Sequence, residues 1–252
     1  MEPDGSMDCS RASGVFRRVI TIDTSGNYGR ANVVDDYHHF QLEIEIADTR
    51  VRSARGSARR TPWSLCPFAA RRIKSLAGLD IGASTNVFSD NSVSQNCLHV
   101  LELAPLLLAA FRNRIDFRQY EISAPYGDRE SEPALLLTDG IEQLRWWRKG
   151  MVLTAPSKYA GAKLDQSFVA WATEHLPEPE VEPALILRRG TLLTRGRALN
   201  LDAARHSQVA LKGGCFVQHA DRATSASRVT GSTIDFTDNR SRLLHEAQKW
   251  AP

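Results

Sequence analysis

The sequence predicts an α+β fold, with antiparallel β-sheet packed against a few helices, one of them apolar and buried. Three observations carry this expectation. Phe40 to Ile46 alternate strictly, with Phe40, Leu42, Ile44 and Ile46 on one face. A nearly unbroken apolar run reaches from Leu98 to Phe111 behind a helix-start residue, so its helix is buried on most sides. Strand and helix runs segregate along the chain instead of alternating, which disfavours a parallel Rossmann-like sheet.

The elements follow in order. Residues 1–13 are acidic and polar and read as a disordered tail, and 14–252 as one domain. Val15 to Ile22 is a strand rich in β-branched residues, with Phe16, Ile20 and Ile22 on a common face. After Phe40–Ile46, the polar turn Ala47-Asp48-Thr49-Arg50 leads into a hairpin partner that begins at Val51. A first helix starts at Pro67, places Ala69, Ile73 and Leu76 on one face, and stops at Gly78. Residues 80–95 are rich in Ser and Asn and read as a mobile loop placed to act as a lid. The second helix has Asn96 as its N-cap, and Pro105 is expected to kink it. Period-two runs then return at Phe117–Ile122, Ala134–Leu137 and Leu144–Arg148, the last two joined by an Asp139-Gly140 turn. A short helix is expected over Asp165–Glu174, then a stiff Pro/Glu-rich connection over 176–183. Ala184–Leu187 and Thr191–Leu193 fit strand or helix. Gly214–Val217 and Ser232–Phe236 read as two more strands.

Composition narrows the function classes. Hydrophobic residues at 42% and charged residues at 24% describe an ordinary globular protein, and a net charge of +3 is too small to argue for nucleic acid. Arg50, Arg52, Arg55, Arg59, Arg60, Arg71 and Arg72 cluster without interleaved aromatics and read as a solvated face. No signal peptide is evident, and the apolar stretch Leu101–Phe111 is shorter than the roughly 20 residues that cross a bilayer. Cys9, Cys66, Cys97 and Cys215 are widely spaced, which suits free thiols in a cytoplasmic chain. There is no GxGxxG, GxxxxGK[ST] or GxSxG, so nucleotide binding and a hydrolase nucleophile elbow lack support. A homo-oligomer stays open.

The candidate chemistry gathers at two helix starts, Cys66-Pro67 and Asn96-Cys97-Leu98-His99. A helix N-terminus carries roughly half a positive charge, which favours a thiolate on a nearby cysteine and a neutral imidazole on a nearby histidine. Glu102, three residues after His99, shares its helix face and can orient the ring. His38 stands just before the alternating strand, with Asp35, Asp36 and Tyr37 beside it as acids and phenol. The ordinary alternatives are a histidine packed in the core, a polar strand entrance and inert buried thiols. Zinc on Cys66, Cys97, His99 and His38 is disfavoured, because the ligands are spread singly and Cys-x-His is a tight spacing for a tetrahedral site. Cys66 or Cys97 as nucleophile is a rival reading. Trp63, Arg145, Tyr159 and Arg228 are candidates for an aromatic pocket and its anion contact, with Cys66 and Cys97 shaping its wall.

The blocks Asp35-Asp36-Tyr37-His38-His39-Phe40, Thr61-Pro62-Trp63-Ser64-Leu65-Cys66-Pro67 and Asn96-Cys97-Leu98-His99-Val100-Leu101-Glu102-Leu103-Ala104 resemble the bacterial DUF2889 family. Its corresponding blocks are DDFHRF, TPWTTCPGA and NCTHLFDLA. The similarity continues through Tyr159-Ala160-Gly161 and Cys215 to Arg228–Ser232. This chain departs in having Leu98 for Thr, Glu102 for Asp and Phe68 for Gly. The resemblance implies no defined activity, and through relatives in aromatic-degrading proteobacteria it implies an aromatic substrate. Acid–base groups without a nucleotide motif suggest a lyase that needs no cofactor or metal. It would act on a lignin-derived or phenylpropanoid-type compound, with C–C cleavage and loss of formaldehyde. The expected catalytic set is His38, His99, Tyr37, Asp36 and Glu102. The alternatives are a Cys-dependent hydrolase or thioester enzyme, and a metal- or small-ligand-binding accessory protein.

Overall fold

The computed structural model describes residues 13–82, 94–208 and 214–249. Eight strands form one antiparallel sheet: β1 (Gly14–Ser25), β2 (Tyr28–Asp35), β3 (His39–Ala47), β4 (Arg50–Arg60), β5 (Phe117–Tyr126), β6 (Ala134–Thr138), β7 (Ile141–Lys149) and β8 (Val152–Ala155). Their spatial order is β4-β3-β2-β1-β5-β6-β7-β8, so chain neighbours pair throughout except where β1 joins β5. The helices are α1 (Cys66–Ala70), α2 (Leu98–Asn113), α3 (Phe168–His175), α4 (Glu178–Leu193), α5 (Ala220–Ala223) and α6 (Arg240–Ala247). The α+β expectation therefore holds.

Strand alternation sends side chains to two faces. On one face, Ile20 and Ile22 of β1, Ala31 and Val33 of β2, and Phe40, Leu42 and Ile44 of β3 pack in the main core with Leu101, Leu103, Leu107 and Ala110 of α2. On the other, Val19 and Val34 meet Leu243 and Ala247 of α6. Two glycines permit the close approach of the helical layer. A Cβ on Gly29 would lie 2.6 Å from the Phe111 ring, and one on Gly56 would lie 2.2 Å from the Ala70 carbonyl oxygen. The Asp139-Gly140 turn has both residues at positive φ, as a tight hairpin requires.

Several expectations need correction. β2 was not anticipated: in Tyr28–Asp35 the second and third residues are Gly29 and Arg30, and only Val33 and Val34 are β-branched. β8 is likewise new, at four residues too short for periodicity to show. The first helix does not run to Gly78; it breaks after Ala70 into a 3₁₀ turn over Ile73–Leu76. The cap of α2 is Cys97, not Asn96, and the helix passes through Pro105 as one element. The 176–183 connection contains the first turn of α4, where Pro179 takes an early position and Glu178 and Glu180 face the positive end of the helix. Ala184–Leu187 and Thr191–Leu193 are helical. Neither Gly214–Val217 nor Ser232–Phe236 forms a strand; Phe216–Gln218 is a 3₁₀ turn, and the second segment is irregular and held by single contacts such as Ile234 N–H to Asp36 O at 2.8 Å. The expected tail and most of the 80–95 loop, including its lid role, lie outside the described residues. Arg50, Arg52, Arg55 and Arg59 are exposed on edge strand β4, where charge discourages pairing with another sheet.

Candidate active site

The site forms where the ends of β1, β2 and β3 meet the N-terminus of α2. Arg18 shares the inward face of β1 with Ile20 and Ile22, and its Cα partner across β2 is Asp35. The chain then turns sharply. Asp35 Oδ1 accepts the backbone N–H of Tyr37 at 2.8 Å and of His38 at 2.9 Å, and also receives His38 Nδ1 at 2.9 Å. Asp35 Oδ2 accepts from Arg18 Nη1 at 3.1 Å. Burial alone would raise the Asp35 pKa, yet His38, Arg18 and the Tyr37 amide outweigh it and hold the carboxyl well below the usual range. Asp35 is an anion.

His99, on the first turn of α2, lies against His38 with ring centroids 3.7 Å apart and planes tilted by 34°, and Phe40 lies 5.5 Å from His99 and 5.7 Å from His38. Tyr37 meets the edge of His38 at 5.7 Å. Burial lowers the pKa of both histidines, in His38 against the pull of Asp35, and in His99 with His38, Arg189 and Arg18 adding to it. Both rings are neutral at pH 7.

Their tautomers follow from their partners. Asp35 is an anion and cannot donate, so His38 Nδ1 carries the proton and its Nε2 is bare. Arg18 Nη1 lies 3.4 Å from His99 Nδ1 and cannot accept, so that nitrogen is the acceptor and His99 Nε2 carries the proton. The pair thus holds a bare imidazole nitrogen and an imidazole N–H. Arg18 Nη2 continues to Glu102 Oε2 at 3.0 Å, Arg189 Nε reaches Glu102 Oε1 at 2.5 Å, and Glu102 lies 4.0 Å from His99 Nδ1.

Asp35, His38 and His99 also offer three atoms within 4.8 Å of one another, a donor set that could hold a metal. The Arg18 guanidinium already engages Asp35 Oδ2 and His99 Nδ1. A divalent cation drawing on either of these two atoms would displace the Arg18 guanidinium or stand against its buried positive charge. The residues fit a hydrogen-bonded acid–base pair better than a metal centre.

The other expected residues are distributed as follows. Asp36 extends past the end of β2 beside Arg197 Nη1, at 3.6 Å too far for a hydrogen bond, and burial raises its pKa to about 8. Burial also raises Tyr37, whose hydroxyl has no hydrogen-bond partner among the described residues. Cys66, Cys97 and Cys215 are free thiols. The expected thiolates are corrected: burial pushes Cys97 up to about 12 and Cys66 well above the ordinary thiol value, despite backbone N–H groups directed at both. Desolvation at these helix starts exceeds the dipole.

Four expected pocket residues are engaged elsewhere. Arg145 is exposed on β7 and pairs with Glu142. Tyr159 packs edge-on against Trp146 near β8, with its hydroxyl 3.4 Å from Glu180. Arg228 spends its nitrogens on Asp202, Pro62 O, Ser232 and Thr233, and lies over the Trp63 ring, whose backbone it bridges. These contacts clamp loops.

Arg18, Arg60 and Arg189 were not singled out as site residues, and Asp35 was expected only as an acid beside His38, outside the catalytic set. Arg18 was detectable, as a charge in the inward series Phe16, Arg18, Ile20, Ile22. Arg60 staples the site turn by donating to the carbonyls of Asp35 (2.6 Å), Asp36 (2.9 Å), His38 (3.3 Å) and Ser232 (3.2 Å). Arg189 approaches from a helix far along the chain and has no local signal.

No curated protein matches the chain. Residues 11–112, which include Arg18, Asp35, His38, His99 and Glu102, match the model of DUF2889, described as a protein of unknown function, and this is the family that the sequence blocks resemble.

Proposed function

We propose that this protein is an acid–base lyase that needs no cofactor and acts on a lignin-derived or phenylpropanoid-type aromatic compound. The observation that supports it is the close His38–His99 pair with opposite tautomers, held by Asp35 on one side and Arg18 on the other. General acid–base catalysis needs a neutral base and a proton donor in one site, and such groups contribute about 10²–10⁴-fold each.

In the version we favour, His38 Nε2 takes the proton of a primary alcohol. The oxygen lone pair forms the C=O of formaldehyde as the adjacent C–C bond breaks. That electron pair forms a C=C bond and expels a benzylic oxygen, which leaves as water with a proton from His99 Nε2–H. The sum is substrate to alkene, formaldehyde and water, with no change in total oxidation level. Asp35 stabilises the imidazolium that forms on His38.

The test is formaldehyde release from lignin-type diaryl dimers bearing a primary alcohol. Release should fall by about 100-fold or more in His38→Ala and His99→Ala. Full activity in the double variant would sink the assignment. The high thiol pKa values weigh against the Cys-dependent alternative, which predicts inactivation by iodoacetamide at Cys66 or Cys97.

A further inference from the structure

Two guanidiniums act on the histidine pair. Arg18 comes from β1 and Arg189 from α4, while the neighbouring Arg188 turns to the Asp165 carbonyl and the Phe168 ring. Against them stand two carboxylates, Asp35 and Glu102. With both imidazoles neutral, two charges of each sign balance, so a second carboxylate can enter by taking the place of Glu102.

Exposure gives the direction of approach. The side chains of Arg18 and Asp35 are 1% and 0% exposed, whereas Arg189 and Glu102 are 23% and 25% exposed. A ligand that reaches the histidines from solvent meets the Arg189–Glu102 pair on its way. The donors there are incompletely used. Arg18 Nε is buried without an acceptor among the described residues, and Arg189 Nε meets Glu102 as an ion pair without hydrogen-bond alignment. Buried N–H donors without acceptors are costly, and an oxyanion is the group that satisfies them. The arginines first expected to hold an anion are occupied: Arg228 by its clamp and Arg145 by Glu142.

We propose that the ligand carries a carboxylate, which binds Arg189 and Arg18 by exchanging with the Glu102 carboxylate. Glu102 holds the two guanidiniums paired when no ligand is bound. The substrate is then an aromatic acid, an inference that rests on the acid–base reading only for what happens after binding.

The experiment is titration calorimetry of the full chain with benzoate and with its neutral counterpart benzamide. Benzoate should bind at least about tenfold tighter than benzamide, the margin of one charge-assisted contact. Arg189→Gln should remove that margin, and Glu102→Gln, which deletes the competing charge, should strengthen benzoate binding while leaving benzamide unchanged. Equal affinities for the two probes, no detectable benzoate binding, or an Arg189→Gln variant with unaltered benzoate affinity would each overturn the proposal. A His38→Gln variant separates the two ideas: it should bind benzoate as the parent does whether or not the lyase reaction exists.

Discussion

Arg18 is a cation on the apolar face of a strand, and its position governs both histidines. It neutralises Asp35 on one side and directs a donor at His99 Nδ1 on the other. Asp35→Asn keeps the shape but removes the anion that fixes His38, so turnover should drop by about 100-fold or more in steady-state assays, with far less effect on KM. The rings also set a pH limit. Their folded pKa values lie below 6.5, so activity should be flat above that pH and decline only beneath it as His38 Nε2 protonates. A pH–rate profile whose acid limb centres above 6.5 would contradict this. Asp36 acts in the opposite sense. Its folded pKa of about 8 exceeds that of the unfolded chain, so the stability it contributes is full at low pH and is lost as pH rises through 8. Asp36→Asn should therefore gain stability relative to the parent between pH 7 and 9 in urea titrations, on the order of 1–3 kcal/mol. His38, His99 and Glu102 were legible in the sequence because helix-start chemistry and i,i+3 spacing are local. The thiolate expectation failed because the local dipole says nothing of how deeply the tertiary fold buries a thiol.

At the scale of elements, the site depends on how closely α1 and α2 lie on the sheet. Gly56→Ala would drive a methyl group into the Ala70 carbonyl, and the fully buried Leu107 fills the interface between α2 and the sheet. Leu107→Ala should cost about 2–5 kcal/mol in denaturant unfolding, whereas Gly56→Ala should lower stability with a further loss of turnover because it displaces the layer that carries the site. Arg60 is a positioning residue for the Asp35–His38 turn, and Arg60→Ala should reduce kcat while leaving the histidine tautomers less defined in spectra. Strands with strict alternation, such as β3, were legible from period alone. β2 was not, since its identity comes from pairing on both sides with β1 and β3. α4 was missed at its start because Pro177 and Pro179 read as a linker, yet proline suits a first helical turn.

Over the whole molecule, one sheet separates two environments. Arg18, Asp35, His38 and His99 cluster on the α2 side, whereas His39 follows the alternation to the α6 side, where burial lowers its pKa to about 4. All three histidines are held neutral by the fold. Their folded pKa values lie below the unfolded value, so the stability they contribute is present above pH 6.5 and is lost as pH falls through the folded values. His39 alone accounts for up to about 3 kcal/mol of that loss. About 2 kcal/mol of the His39 share falls between pH 7 and pH 5, where unfolding free energies should show it, reduced in His39→Gln. The convergence of β1, α2 and α4 on one site was invisible in the sequence, because Arg18, Glu102 and Arg189 meet across long stretches of chain.

The most direct measurement is the ¹⁵N imidazole spectrum of His38 and His99 across pH. The expected result at pH 7 is two neutral rings of opposite tautomer, His38 protonated at Nδ1 and His99 at Nε2, neither titrating above pH 6.5. Matching tautomers, or an imidazolium on either ring at pH 7, would contradict the acid–base pair.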